Sequence, residues 1–219
     1  MCGRFLLISD TDTFYPRFKV KEKVYEIIPN YNIAPGATTP IVVNDQENKI
    51  IKMRWGLVPF WAKDTKIGYK MINTRAETIQ LKPSFSHSFK TMRCLVPASG
   101  FYEWKKEDEQ KVPYLYRRKD GQLFAMAGIY DKWMQPDGEF LITFSIITTD
   151  PNALIAPIHD RMPVILSEEN EQKWINKETV IDNLNMMLGS YSQKDFEIYQ
   201  VSNEVNNPAN NFADLIKLV

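Results

Sequence analysis

LFAMAGIYDKWMQPDGEFLITFSIITT, residues 123–149, is the stretch that decides the fold. Two runs rich in β-branched and aromatic residues, LFAMAGIYDKW (123–133) and FLITFSIITT (140–149), flank Asp137-Gly138, a pair suited to a hairpin turn. IIKMRWG (50–56) has the same character, and Asp120-Gly121 reads as a second hairpin turn. Helical signals are fewer. They fall near 10–18, after Ser167 where Glu168 and Glu169 form an acidic first turn, and from Glu178 to Leu188 with Gly189 as the stop. No repeat, low-complexity tract or Gly/Ser linker marks a boundary. The pattern predicts one α+β domain over residues 1–219, dominated by antiparallel β-strands with peripheral helices.

A chain of 219 residues, 44% of them hydrophobic, has room for a substantial core. It contains no apolar run of membrane-spanning length and begins without the basic and apolar regions of a secretory signal, so a cytoplasmic protein with no membrane partner is expected. Its two cysteines, Cys2 and Cys94, make neither a disulfide framework nor a zinc site. With only His87 and His159 besides, no metal or cofactor is expected. Net charge is zero, which argues against strong nonspecific binding to nucleic acid. Residues 1–106 nevertheless carry 17 Lys and Arg against 9 Asp and Glu, a net +8, and the remainder carries −8. That asymmetry reads either as a patch suited to phosphates or as an unevenly charged solvated surface.

One of those two scarce cysteines stands directly behind the initiator methionine. Removal of Met1 would put a free α-amine and a thiol on the same residue, a pair that no internal position offers. Other short stretches mix reactive side chains with Gly, Pro and aromatics, as loops at a site do and as ordinary turns also do. Glu103, between Tyr102 and Trp104, is either a desolvated carboxyl with a raised pKa or a water-exposed strand-end Glu, the plainer reading. His159, before Asp160 and Arg161, is a structural histidine or a proton carrier. Asn73 and Arg75 could hold a carbonyl and a phosphate, or be a cap and a surface ion pair. Trp55, Phe60 and Trp61 surround Pro59 near Arg54 and Lys63; they are core residues or a platform for stacked bases. Cys94 reads as a buried apolar residue, and His87 as a surface one.

MCGRF (1–5), NIAPG (32–36), RWGLVP (54–59), NTRAET (73–78), PASGFYEW (97–104) and HDRMP (159–163), in that order, resemble the SRAP domain family, and the resemblance runs from residue 1 to about Val201-Ser202. It implies one SRAP-like domain that shields abasic sites in single-stranded DNA through a covalent crosslink from the N-terminal cysteine. It further implies that Cys2, Asn73, Glu103 and His159 form the reactive group. Arg4, Arg75 and Arg161 would contact the DNA backbone, Trp55 and Pro59 would wedge against bases, and Ser202 would belong to a further DNA-contacting loop. A monomer acting at damaged DNA in the nucleoid is expected, with reversal of the crosslink and weak lyase activity as accompaniments. The competing reading is an N-terminal-nucleophile cysteine peptidase, including self-removal of Met1.

Overall fold

A computed structural model describes residues 2–219. In chain order the elements begin with β1 (Arg4–Leu7), α1 (Thr11–Arg17), β2 (Asn30–Ile33), β3 (Thr38–Asp45), β4 (Glu47–Trp55) and β5 (Asn73–Arg75). Next come α2 (Pro83–Thr91), β6 (Arg93–Ala98), β7 (Gly100–Glu107), β8 (Gln110–Arg118), β9 (Phe124–Met134) and β10 (Phe140–Thr149). The chain finishes with β11 (Met162–Pro163), β12 (Ile165–Leu166), α3 (Glu168–Ile175), α4 (Ile181–Met186) and β13 (Phe196–Gln200). Strands dominate and the helices lie at the periphery, as expected for an α+β domain.

Five strands close on themselves. β4 pairs with β3, β3 with β6, β6 with β9 and β9 with β10, all antiparallel, and β10 returns to β4 in parallel at Phe144↔Trp55. Closure removes the free edges of these strands. It also explains why β10 is apolar along most of its length: from Thr143 to Thr149 every residue is buried. Inside, Thr143 Oγ1 accepts the Val58 N–H at 2.7 Å.

A second sheet runs β13-β8-β7-β1-β2. Only Ser99 separates β6 from β7, so the chain passes from barrel to second sheet within one residue. The Ser99 N–H donates to Leu6 O at 2.9 Å, and its hydroxyl accepts from the Ile8 N–H at 2.8 Å. Gly100 is needed at this corner because a Cβ there would lie 2.8 Å from Tyr116 O. The block PASGFYEW is therefore the bend that delivers Glu103 from the barrel to the second sheet.

The strand pair 123–149 forms as read, with Gly138 at φ +89° in the turn. Asp120-Gly121 is a turn but not a hairpin, because β8 and β9 on either side belong to different sheets. The tightest reversals lie at Gln46 and Asp108, non-glycine residues at positive φ that carry no Asn-Gly or Asp-Gly signature. Helix α1 starts where Asp10 accepts the Thr13 N–H at 2.7 Å, and α3 where Ser167 accepts from Asn170. The helix expected over 178–188 is only α4. Asn176 Oδ1 takes the Glu178 N–H at 2.9 Å and holds that end as a turn, while i→i+3 bonds at Met187 and Leu188 tighten the other end. Helix α2 was not expected. Pro83 opens it, and Phe85 and Phe89, one turn apart, are the buried face of a segment that otherwise reads as polar.

Candidate active site

Cys2 precedes β1, and β1 runs antiparallel to β7 with Arg4 opposite Tyr102, the residue before Glu103. Cys2 is fully buried, and its thiol contacts Arg4 O at 3.8 Å. Burial, with the negative charge of Glu103 adding to it, pushes the thiol well above its ordinary pKa. Asn73 arrives from the other sheet. β5 lies parallel to β10, with Asn73 opposite Ile146, and the Asn73 amide donates to Cys2 O at 2.7 Å. Its Oδ1 is buried and accepts no hydrogen bond among the described residues.

Glu103 is 2% exposed, so the plainer reading of a water-facing glutamate is overturned. Removal from water pushes its pKa up to about 7, and the negative charge of Asp160 acts in the same direction. His159 lies on the same cavity, held by a turn in which its N–H donates to Ile155 O at 2.9 Å. Its Nδ1 accepts the Arg161 N–H at 3.0 Å and lies 2.9 Å from Asp160 Oδ1. In the neutral ring, accepting at Nδ1 leaves the proton on Nε2; the Asp160 contact favours the imidazolium. Burial lowers the histidine pKa. Glu103 and His159 line a cavity of about 760 Å³ that also reaches Trp104 and Asn206. The four residues expected to react thus come together from four segments. Met1, whose removal that chemistry requires, lies outside the described residues.

The expected DNA contacts fare less evenly. Trp55 is a core residue and is corrected as such: 1% exposed, it donates from Nε1 to Ile72 O at 2.9 Å and packs edge-on against Phe5. It cannot present its ring to a base in this structure. Pro59 is buried too. The exposed aromatics of that segment are its neighbours, Phe60 at 60% and Trp61 at 49%. The main-chain N–H of Phe60 donates to Asp131 Oδ2, and Trp133 Nε1 donates to Ala62 O, so the loop is anchored while both rings face water. Weighing which of three clustered aromatics is exposed needed the register of β4, which places Trp55 opposite Phe144 inside the barrel.

Arg161 is likewise an internal brace. Its guanidinium binds Glu77 at 2.8 and 2.9 Å, Asp150 at 3.0 Å and Thr148 O at 2.8 Å. It fixes the loop that carries His159, and a phosphate would have to displace carboxylates to reach it. Arg4 donates to Asn32 Oδ1 at 2.6 Å and Val205 O at 2.7 Å. Asn32 in turn donates to Asn207 O and Asn210 O, so this pair ties β1 to the C-terminal loop. Ser202 caps the turn Asn203–Asn206, accepting from the Glu204 N–H. Of the three arginines, Arg75 alone is exposed. Among the described residues no group of three or more His, Cys, Asp or Glu side chains could hold a metal. No helix among the described residues is long and apolar enough to cross a membrane.

The family described as SOS response associated peptidase (SRAP) matches residues 1–208. The chain belongs to the SRAP family. Among SRAP relatives, the abasic site processing protein YoqW of Bacillus subtilis is 49% identical over 222 residues, covering 99% of each chain. The abasic site processing protein HMCES of Xenopus tropicalis is 33% identical, covering 84% of this chain and 64% of its own. A crystal structure of a protein from Bacteroides thetaiotaomicron superimposes with a TM-score of 0.88 at 30% identity over the whole of both chains.

Proposed function

We propose that this SRAP protein captures abasic sites in single-stranded DNA as a covalent adduct at Cys2. The observation that carries the reading is the meeting of a buried Glu103, raised to about pKa 7, with Cys2, Asn73 and His159. The names of its relatives supply the lesion.

An abasic deoxyribose exists mostly as a closed hemiacetal, and opening it exposes an aldehyde at C1′. Glu103, partly protonated near neutral pH, donates a proton to the ring oxygen while the C1′ hydroxyl gives up its own to His159, and the aldehyde forms. Once Met1 has been removed, the Cys2 α-amine, of pKa about 8, adds to that aldehyde. Proton transfer through Glu103 and His159 expels water and leaves an imine. The thiol then adds to the imine carbon while its proton passes to the nitrogen, closing a five-membered thiazolidine. The sum is amine, thiol and aldehyde giving ring plus water. Both nucleophiles sit on one residue, so closure is intramolecular and outruns hydrolysis or elimination of the imine. Asn73, by holding Cys2 O, aims the N-terminus. The same steps in reverse release the adduct.

The test is an intact-mass measurement and a denaturing gel with a single-stranded oligonucleotide carrying one abasic site. Wild type should lack Met1 and form a denaturant-resistant adduct one water lighter than the sum of its parts. Cys2→Ala keeps the amine but not the thiol, and should give a labile adduct and more strand cleavage. An equally stable adduct from Cys2→Ala would overturn the ring. No adduct from wild type lacking Met1 would turn attention to peptide substrates.

A further inference from the structure

The cavity that holds Glu103 and His159 also carries Lys106 on β7 and Lys111 on β8. These two lysines stand directly opposite each other across the antiparallel pair. Opposed residues in such a ladder share a face with Cβ atoms about 5 Å apart, and like charges there are destabilising. Acidic groups are close at hand, since Glu107 ends β7 and Asp108 and Glu109 form the adjoining turn. Yet Glu107 pairs with Lys105, and neither Lys106 nor Lys111 makes an ion pair among the described residues. Both are exposed. An anion bridging the two ammonium groups would turn the repulsion into attraction.

We propose that Lys106 and Lys111 form a phosphate seat for the DNA strand beside the abasic deoxyribose, an inference that rests on the function argued above. Two further observations support it. Two of the three arginines on which a phosphate contact would first be placed are occupied, Arg161 by Glu77 and Asp150 and Arg4 by Asn32 and Val205 O, which leaves only Arg75 of that set exposed. The cavity is also polarised. Asp160, 82% exposed, stands beside His159 and repels a phosphate there, while Lys106 and Lys111 lie three residues along the β7–β8 pair from Glu103, about 10 Å away, and attract it. A sugar-phosphate entering this space is thereby oriented, aldehyde toward Glu103 and His159 and phosphodiester toward the lysines. A volume of about 760 Å³ accommodates such a unit.

The experiment measures single-turnover crosslinking of the oligonucleotide with one abasic site across a series of salt concentrations, comparing wild type with Lys106→Gln/Lys111→Gln. The half-saturating protein concentration should rise roughly 5- to 20-fold at low salt. The slope of log affinity against log salt should fall by about 0.7, the value for one single-strand phosphate. The maximal rate should not change, and free 2-deoxyribose, which has no phosphate, should react equally with both proteins. Lys106→Arg/Lys111→Arg should keep the wild-type affinity. Unchanged half-saturation and slope would overturn the seat, as would a parallel loss with free deoxyribose, which marks a defect in folding or chemistry. If wild type forms no adduct, it is the functional reading that has failed. Fluorescence anisotropy of the same oligonucleotide then decides the seat alone: equal affinity of wild type and the Gln variant refutes it, and weaker binding by the variant supports it.

Discussion

Glu103 and Glu171 are buried to the same degree, each 2% exposed, in regions of the molecule that use a carboxylate differently. Glu171 on α3 meets Arg17 of α1 in a two-point pair, 2.7 and 2.8 Å, that closes the seam between those helices. Burial raises its pKa, and the two hydrogen bonds and the charge of Arg17 oppose that rise. Glu103 shares its surroundings with the Cys2 thiol, the His159 imidazole and the negative Asp160, and its pKa rises to about 7. Burial is common to both. The neighbours decide whether a buried carboxyl is a permanent charge or a proton carrier.

The contrast breaks most visibly at Arg17. Arg17→Met would strand a buried Glu171 without its counter-charge and should cost about 3–5 kcal/mol in urea unfolding, with crosslinking per folded molecule unchanged. Stability within about 1 kcal/mol of wild type would mean that the pair does not hold the seam.

Glu103→Gln should act in the opposite sense. Crosslinking should slow about 100-fold, the scale of general acid–base catalysis. Stability should rise, but only at higher pH. Glu103 in the folded protein keeps its proton up to about pH 7, whereas in the unfolded chain it loses the proton near its ordinary value of 4.5. Between those pH values the folded state binds more protons than the unfolded one, so wild-type stability falls as pH rises through the window, by on the order of 3 kcal/mol in all. Glutamine has no proton to lose. The variant should therefore gain up to that amount at pH 8 and nothing at pH 4, measured as melting temperature against pH. A gain equal at both pH values would trace it to packing instead.

The smallest effect sharpens the same lesson with the cysteines. Cys94 is as buried as Cys2, and burial likewise raises its thiol pKa. Cys94→Ala should cost roughly 1–2 kcal/mol of stability, a lost core contact, and leave the adduct yield intact. A loss of adduct would remove Cys2 from its assigned role.

Much of this was legible in the chain. The grouping of Cys2, Asn73, Glu103 and His159 was legible only through the resemblance to the SRAP family, whereas the paired strands 123–149, a helix near 10–18 and another after Ser167 follow from residue types and their order. Local chemistry suffices there: β-branched runs, short polar caps, and an amine beside a thiol are properties of neighbouring residues. What the sequence could not determine was which side of an element faces inward and which charges are already matched. Trp55 and Trp61 look alike six residues apart, and only the closure of β4 onto β10 buries the first and leaves the second in water. Arg161 reads as a cation at the site, and nothing in the sequence singles out Lys106. Only the fold brings Glu77, distant in sequence, against Arg161 and sets Lys106 against another lysine. Burial and charge pairing are relations between segments far apart in the chain, so they exist only once the chain has folded.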